Sequence, residues 1–133
     1  WEEIKTLHDS GIFEIGNHTY KMHSYKPRYG IKKMESETEE EYKTALEQDV
    51  IKLENKLMID CGFRTNVFAY PFGAYDKTSE NILKELGFKA FLTCNEGINK
   101  IKKNDNSSLS HLKRINRTGL LTTYQFFTKH KIY

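Results

Sequence analysis

Glu14-Ile15-Gly16-Asn17-His18-Thr19-Tyr20-Lys21-Met22-His23 holds two of the chain's five histidines. Just before it, Ile12, Phe13 and Ile15 lie between Gly11 and Gly16 and predict a brief strand, so His18 falls past the strand's end. Loops beyond the carboxyl ends of parallel strands are where α/β folds usually hold ligands and metals. Neutral imidazoles are ordinary Zn²⁺ ligands, which makes the two rings candidates for one divalent ion. Their spacing is five residues, and on a regular helix that turns two side chains roughly 140° apart. A shared ion therefore demands a turn or an irregular helix start between them. Unrelated turn histidines would give the same letters, so the pair needs support from elsewhere in the chain.

Working outward, Trp1 to Ser10 reads as a helix end, with Trp1, Ile4 and Leu7 on one face and Gly11 as the stop. Trp1 is expected in the core. Downstream, Ser24 to Met34 has no period, and Tyr25, Pro27, Tyr29 and Gly30 mark an irregular loop. Its aromatics either stack on sugar faces or pack down on their own domain. Ser36 and Glu39 make a capping-box pattern, and the acids Glu37, Glu39, Glu40 and Glu41 suit a helix amino end. The helix from about 37 to 61 then carries Tyr42, Leu46, Val50, Leu53 and Leu57 on one stripe and stops at Gly62.

Val67 to Tyr70 is a short, wholly apolar strand, the pattern of one buried on both faces, and Pro71 and Gly73 break it. Asp76 caps a helix in which Ile82, Leu83 and Leu86 face inward and Gly87 ends the run. Phe88 to Thr93 reads as a strand, Asn95 to Ser110 as a polar loop, Leu112 to Ile115 as a strand and Thr122 to Lys129 as a last helix. Alternating helices and strands predict an α/β domain with parallel strands. Strands near 12–16, 66–70, 88–93 and 112–115 should share one sheet, with Leu46, Val50, Leu53, Val67, Phe68, Ala90 and Leu92 buried.

With 133 residues the chain suffices for one domain with a real core. Its 38% hydrophobic and 29% charged content is that of a globular protein, and no apolar run approaches the roughly 20 residues of a membrane helix. A net charge of +3 gives no sign of a nucleic-acid partner; a solvated loop explains the late cluster Lys100, Lys102, Lys103, Lys113, Arg114 and Arg117 as well as an anionic partner does. Cys61 and Cys94 are too far apart for a CxxC motif; a disulfide is the alternative, but Cys61 precedes a helix-ending Gly and Cys94 ends a strand, so two free, partly buried thiols are expected.

The run from Glu14 to His23 resembles the histidine motif of the NodB-type polysaccharide deacetylases, in the branch acting on poly-N-acetylglucosamine and related envelope polymers. Phe68-Ala69-Tyr70-Pro71-Phe72-Gly73-Ala74-Tyr75 is similar to the same branch's substrate-groove motif, and the order and gap of the two motifs match as well. The resemblance implies a distorted (β/α) barrel, here a partial one, and metal-dependent N-deacetylation of an amino-sugar polymer. It implies His18 and His23 as two ligands of a divalent ion, zinc first and cobalt or nickel as substitutes. It further implies a backbone oxyanion donor at Phe72, a groove wall from Tyr70, Pro71 and Phe72, and a loop-holding role for Thr19. The location implied is extracellular or in the cell envelope.

Departures accompany the match. The family's adjacent aspartates, one a ligand and one the general base, have no counterpart: Asp9, Asp49, Asp60, Asp76 and Asp105 are all isolated. The domain is therefore expected to be truncated at its N-terminal side, and the chain alone to be a poor catalyst. Ala69 stands where many relatives carry an arginine. Leu109-Ser110-His111 matches the family's Leu-X-His, which would make His111 the general acid, but no apolar strand leads into it. Arg114 is a candidate to face the site, an exposed strand arginine being the plain alternative. Two other classes fit: a non-catalytic carbohydrate-binding domain, or a structural one whose exposed sheet edge pairs with a second copy.

Overall fold

The computed structural model describes residues 1–131. Helix α1 spans Glu2–Asp9 and helix α2 Glu39–Cys61. Strand β1 (Val67–Ala69) leads through a single 3₁₀ turn, Pro71–Gly73, to helix α3 (Lys77–Glu85). Strand β2 (Ala90–Leu92), a 3₁₀ turn at Asn106–Leu109 and helix α4 (Thr123–His130) complete the order.

β1 and β2 are parallel, with Val67, Phe68 and Ala69 opposite Ala90, Phe91 and Leu92. Single parallel bridges add one rung on each side, Asn17 to Phe68 and Leu92 to Leu112. The four segments thus lie side by side in chain order, the arrangement of consecutive units in an α/β sheet. The predicted outer strands shrink to these rungs. Ile12–Ile15 forms no strand; its neighbourhood bonds β1 only through the Asn17 amide to the Val67 carbonyl and the Ala69 amide to the Asn17 carbonyl. Ile12 and Phe13 are 80% and 53% exposed, and of the three residues that read as a strand Ile15 alone packs on buried neighbours, Leu57, Cys61 and Phe63. At the other edge, Leu112 donates to Phe91, Thr93 to Leu112 and Arg114 to Asn95.

α2 covers the sheet. Tyr42, Leu46, Val50, Glu54, Leu57 and Cys61 are its buried positions, a three- and four-residue spacing that keeps one face inward. With Ile31, Phe68, Tyr70, Ile82, Leu83, Phe88 and Phe91, the first three of these make the main core. Each such large side chain contributes about 2 kcal/mol. Leu46, Val50 and Phe68 are buried as predicted, while Val67, Ala90 and Leu92 on the strands and Leu53 on α2 are only half-buried.

The helix starts two residues later than its sequence suggests. Thr38 and Glu41 form the capping box, not Ser36 and Glu39. Glu37 is already engaged, pairing with Arg28 and accepting from the Met34 amide at 2.8 Å, so residues 34–37 close a turn of their own. Trp1 is also corrected. It is 46% exposed and lies against the surface of α2 with the Lys56 ammonium 4.8 Å from its ring centre. Cys61 is a buried free thiol and Cys94 an exposed one. Among the described residues no helix is long and apolar enough to cross a membrane.

Candidate active site

The carboxyl end of β1 meets the histidine loop. Asn17 is fully buried; its Nδ2 donates to Glu54 Oε1 at 2.8 Å, and its Oδ1 accepts from the Thr19 amide at 2.8 Å. Glu54, buried on α2, also accepts from the Thr65 amide and hydroxyl at 2.8 and 2.7 Å, so the Asn17 amide and the Glu54 carboxylate are both hydrogen-bonded. Thr19 has a φ of +72°, in the left-handed region where a β-branched residue is strained. That reversal supplies the turn that the five-residue spacing requires. Tyr20 and Lys21 then present successive amides to the two oxygens of Asp49, at 2.7 and 2.8 Å. Thr19 Oγ1 is buried without a partner among the described residues, so the backbone of Thr19 holds the loop and its hydroxyl does not.

The loop delivers His18 and His23 side by side. Their ring centres are 4.9 Å apart and the rings tilt by 53°. Two imidazoles on one tetrahedral ion have ring centres about 5 Å apart, given metal–nitrogen distances near 2.1 Å. His18 Nδ1 lies 2.7 Å from the Ala69 carbonyl oxygen. A carbonyl only accepts, so Nδ1 carries a proton, and in the neutral ring Nε2 keeps its lone pair. This is the tautomer that a ligating histidine needs, with the other nitrogen oriented by a backbone carbonyl. The pair fits as part of a ligand set. No three His, Cys, Asp or Glu side chains among the described residues gather into a complete one.

The Ala69 carbonyl has a second consequence. A regular 3₁₀ turn would offer it to the Phe72 amide. His18 takes it, and Phe72 sits at φ +57° inside the turn. Gly73 and Ala74 donate within the turn, whereas the Phe72 amide finds no acceptor among the described residues. A backbone donor without an acceptor is what an oxyanion site requires. The Phe72 ring lies 4.2 Å from that of His23, is stacked by Tyr25 at 4.2 Å and has Tyr29 parallel to it at 5.4 Å. Tyr25 and Tyr29 are exposed.

The predicted groove wall is thereby corrected. Tyr70 is fully buried, stacked on Tyr75 and Phe91, and Pro71 is buried too, so neither side chain meets solvent. Burial, with Glu80 and Tyr75 adding to it, pushes the Tyr70 hydroxyl well above the usual phenol range. Of the three, only Phe72 offers a ring to a ligand. Tyr70 ends a strand with no polar position, and that pattern already signalled burial on both faces.

His111 goes elsewhere. Its Nε2 lies 2.6 Å from Glu80 Oε2, and its ring stacks on Tyr75 at 4.9 Å. Burial raises the Glu80 carboxyl, but Lys84 and His111 outweigh it and hold the group below its ordinary range. Arg114 donates to the Thr93 carbonyl and to Cys94 Sγ, at 2.7 and 3.3 Å. Cys94 in turn packs against Gly73, where a Cβ would approach within 2.9 Å, so the turn after β1 admits only glycine there. Asp49, Asn17 and Glu54 were missed from sequence. An acid on the buried side of an otherwise apolar stripe is the signal that Glu54 offered, and Asp49 offered none.

A family model described as polysaccharide deacetylase matches residues 1–91, which include the histidine loop and the turn after β1. The chain belongs to the polysaccharide deacetylase family. Among this family's curated members, the poly-β-1,6-N-acetyl-D-glucosamine N-deacetylase of Escherichia coli K12 is 23% identical over 117 residues, covering 74% of this chain and 17% of the relative. IcaB of Ammonifex degensii superposes at a TM-score of 0.69 with 26% identity, over 90% of this chain and 48% of that one. The Streptococcus pyogenes deacetylase PplD, solved with acetate, gives 0.70 and 22% identity over 97% of this chain and 49% of that one. The deacetylase domain of BpsB from Bordetella bronchiseptica gives 0.63 and 19%. The chain thus spans less than half the length of these relatives. The likeness extends to the parallel strands and their helices; the α/β fold is that of the family.

Proposed function

We propose that this chain carries part of the active site of a metal-dependent deacetylase that removes N-acetyl groups from an amino-sugar polysaccharide of the cell envelope or extracellular space. The observation that carries the reading is the His18–His23 pair, with His18 Nδ1 committed to the Ala69 carbonyl and Nε2 left free. These two rings would hold the ion, zinc by preference and cobalt or nickel as substitutes. When bound, a divalent ion supplies Lewis acidity toward an acetamide carbonyl and toward water. The Phe72 amide donates to the oxyanion that forms from the acetamide oxygen. The exposed faces of Tyr25 and Tyr29, braced on Phe72, carry a neighbouring sugar ring.

A third ligand and a proton acceptor are still required, and none of the aspartates here is available. Asp49 is filled by two amides, Asp76 caps α3, Asp60 pairs with Lys56, Asp9 pairs with Lys5, and Asp105 caps the 3₁₀ turn at Asn106–Leu109. The proposal assigns both roles to carboxylates outside these 133 residues, in a domain of partial (β/α)-barrel type that continues on the N-terminal side. A positioned base alone contributes about 10²–10⁴-fold, so the isolated chain is expected to turn over slowly or not at all.

The test is acetate release from N-acetylglucosamine oligomers by an N-terminally extended form, with and without chelator. Chelation should abolish release and Zn²⁺ restore it, and His18→Ala and His23→Ala should each lower it by at least about 100-fold. Alanine variants that turn over like wild type would sink the proposal. Robust, chelator-sensitive release by the 133 residues alone would refute the assignment of the missing carboxylates.

A further inference from the structure

We propose that Asp49, in the middle of α2, is a positioning residue that sets the separation of His18 and His23. The inference rests on the metal reading above and extends it to a residue that never touches the ion. Between the two histidines, the loop has no backbone-to-backbone hydrogen bond among the described residues. Its shape is imposed by side chains. The Thr19 amide goes to Asn17 Oδ1, the Tyr20 amide to one oxygen of Asp49 and the Lys21 amide to the other. Successive amides converging on one anion form a nest, and here the anion is a carboxylate delivered from a helix 28 and 29 residues further along the chain.

The geometry makes Asp49 the harder of the two anchors to replace. Asn17 fixes the start of the loop, where β1 already holds it through two backbone bonds. From Thr19 onward the chain turns through a left-handed residue and would relax if its amides went to water. His23 lies beyond that point, whereas His18 is held independently by the Ala69 carbonyl. Loss of Asp49 should therefore leave His18 in place and free His23. The ligand set loses its spacing without losing a ligand. Charge contributes as well, because both bonds end on an ionised group.

Co²⁺ titration of Asp49→Ala and Asp49→Asn tests this, read by the ligand-field spectrum and by titration calorimetry, with amide exchange at Tyr20 and Lys21 followed by NMR. Asp49→Ala should bind Co²⁺ about 10–100-fold more weakly, with an altered spectrum and faster exchange at both amides. Asp49→Asn keeps one acceptor and should fall between; being nearly isosteric, it also keeps the test available if the alanine variant fails to fold. Glu47→Ala, on the same helix, should bind as wild type. If Asp49→Ala exchanges faster at Tyr20 and Lys21 yet keeps wild-type affinity and spectrum, Asp49 serves the loop's stability alone and the inference is wrong. All variants are made in the N-terminally extended form; if the extended wild type binds no Co²⁺ through His18 and His23, the metal reading itself falls, and this inference with it.

Discussion

Two histidine-bearing loops flank the core, and they use their imidazoles in opposite ways. At the carboxyl end of β1, His18 gives Nδ1 to a backbone carbonyl and leaves Nε2 free. At the far edge, beyond β2, His111 has Nε2 on Glu80 and its ring against Tyr75. A nitrogen aimed at a carboxylate from the protein's own helix ties a loop to that helix. A nitrogen left open while its partner is oriented can bind something from outside. Both loops contain a left-handed non-glycine residue, Thr19 in one and His111 itself in the other. Backbone strain therefore does not separate the loop proposed to bind a ligand from the structural one; the partner of each ring nitrogen does.

The strongest way to break this comparison is to exchange the losses. His23→Ala should lower Co²⁺ affinity by at least about 100-fold, while His111→Ala should leave it within about twofold of wild type. A matching drop for His111→Ala would place that ring at the ion and overturn the contrast. Titration of the two variants in parallel decides it.

Acid sensitivity sharpens the other side. Glu80 is held below its ordinary value in the folded chain, so its contribution is fully present above pH 4.5 and is lost as the pH falls through the lowered value. Glu80→Gln should cost about 1–2 kcal/mol at pH 7, where the bonds to Lys84 and His111 are charge-assisted. Below pH 4.5 the gap between variant and wild type should close. Urea unfolding at pH 7 and at pH 3 measures both, and a gap that stays constant would mean that the ion pairs contribute nothing.

The smallest expected effect on stability is at the rim of the site. Tyr25 is 69% exposed and, among the described residues, stacks only on Phe72 and Tyr29. Tyr25→Ala should change stability by about 0.5 kcal/mol or less. It should still weaken binding of N-acetylglucosamine oligomers several-fold, on the order of one lost stacking contact. Calorimetric titration with a chitin oligomer is the measurement, and unchanged affinity would remove Tyr25 from the substrate wall.

Much of this was readable beforehand, for a local reason. The stripe of α2, the cap Asp76 and the apolar cores of β1 and β2 depend on residues within one or two turns of each other. The capping box moved from Ser36 and Glu39 to Thr38 and Glu41 because residues 34–37 close a turn of their own, in which Glu37 pairs with Arg28, and no period reveals such a pair. Tyr70 was placed in a groove wall on the strength of a motif, while its own strand pattern pointed to burial.

By itself the sequence determined the order of helices and parallel strands, the two histidines and the family, because periodicity, caps and motif letters are properties of neighbouring residues. Only the tertiary structure decided which nitrogen of His18 is free, that Phe72 keeps an unused amide and that Asp49 spans from α2 to hold the loop open. Each of these is a single hydrogen bond, made or withheld. Where the partners lie 28 to 51 residues apart, their meeting depends on how α2 packs across β1 and on nothing written between them.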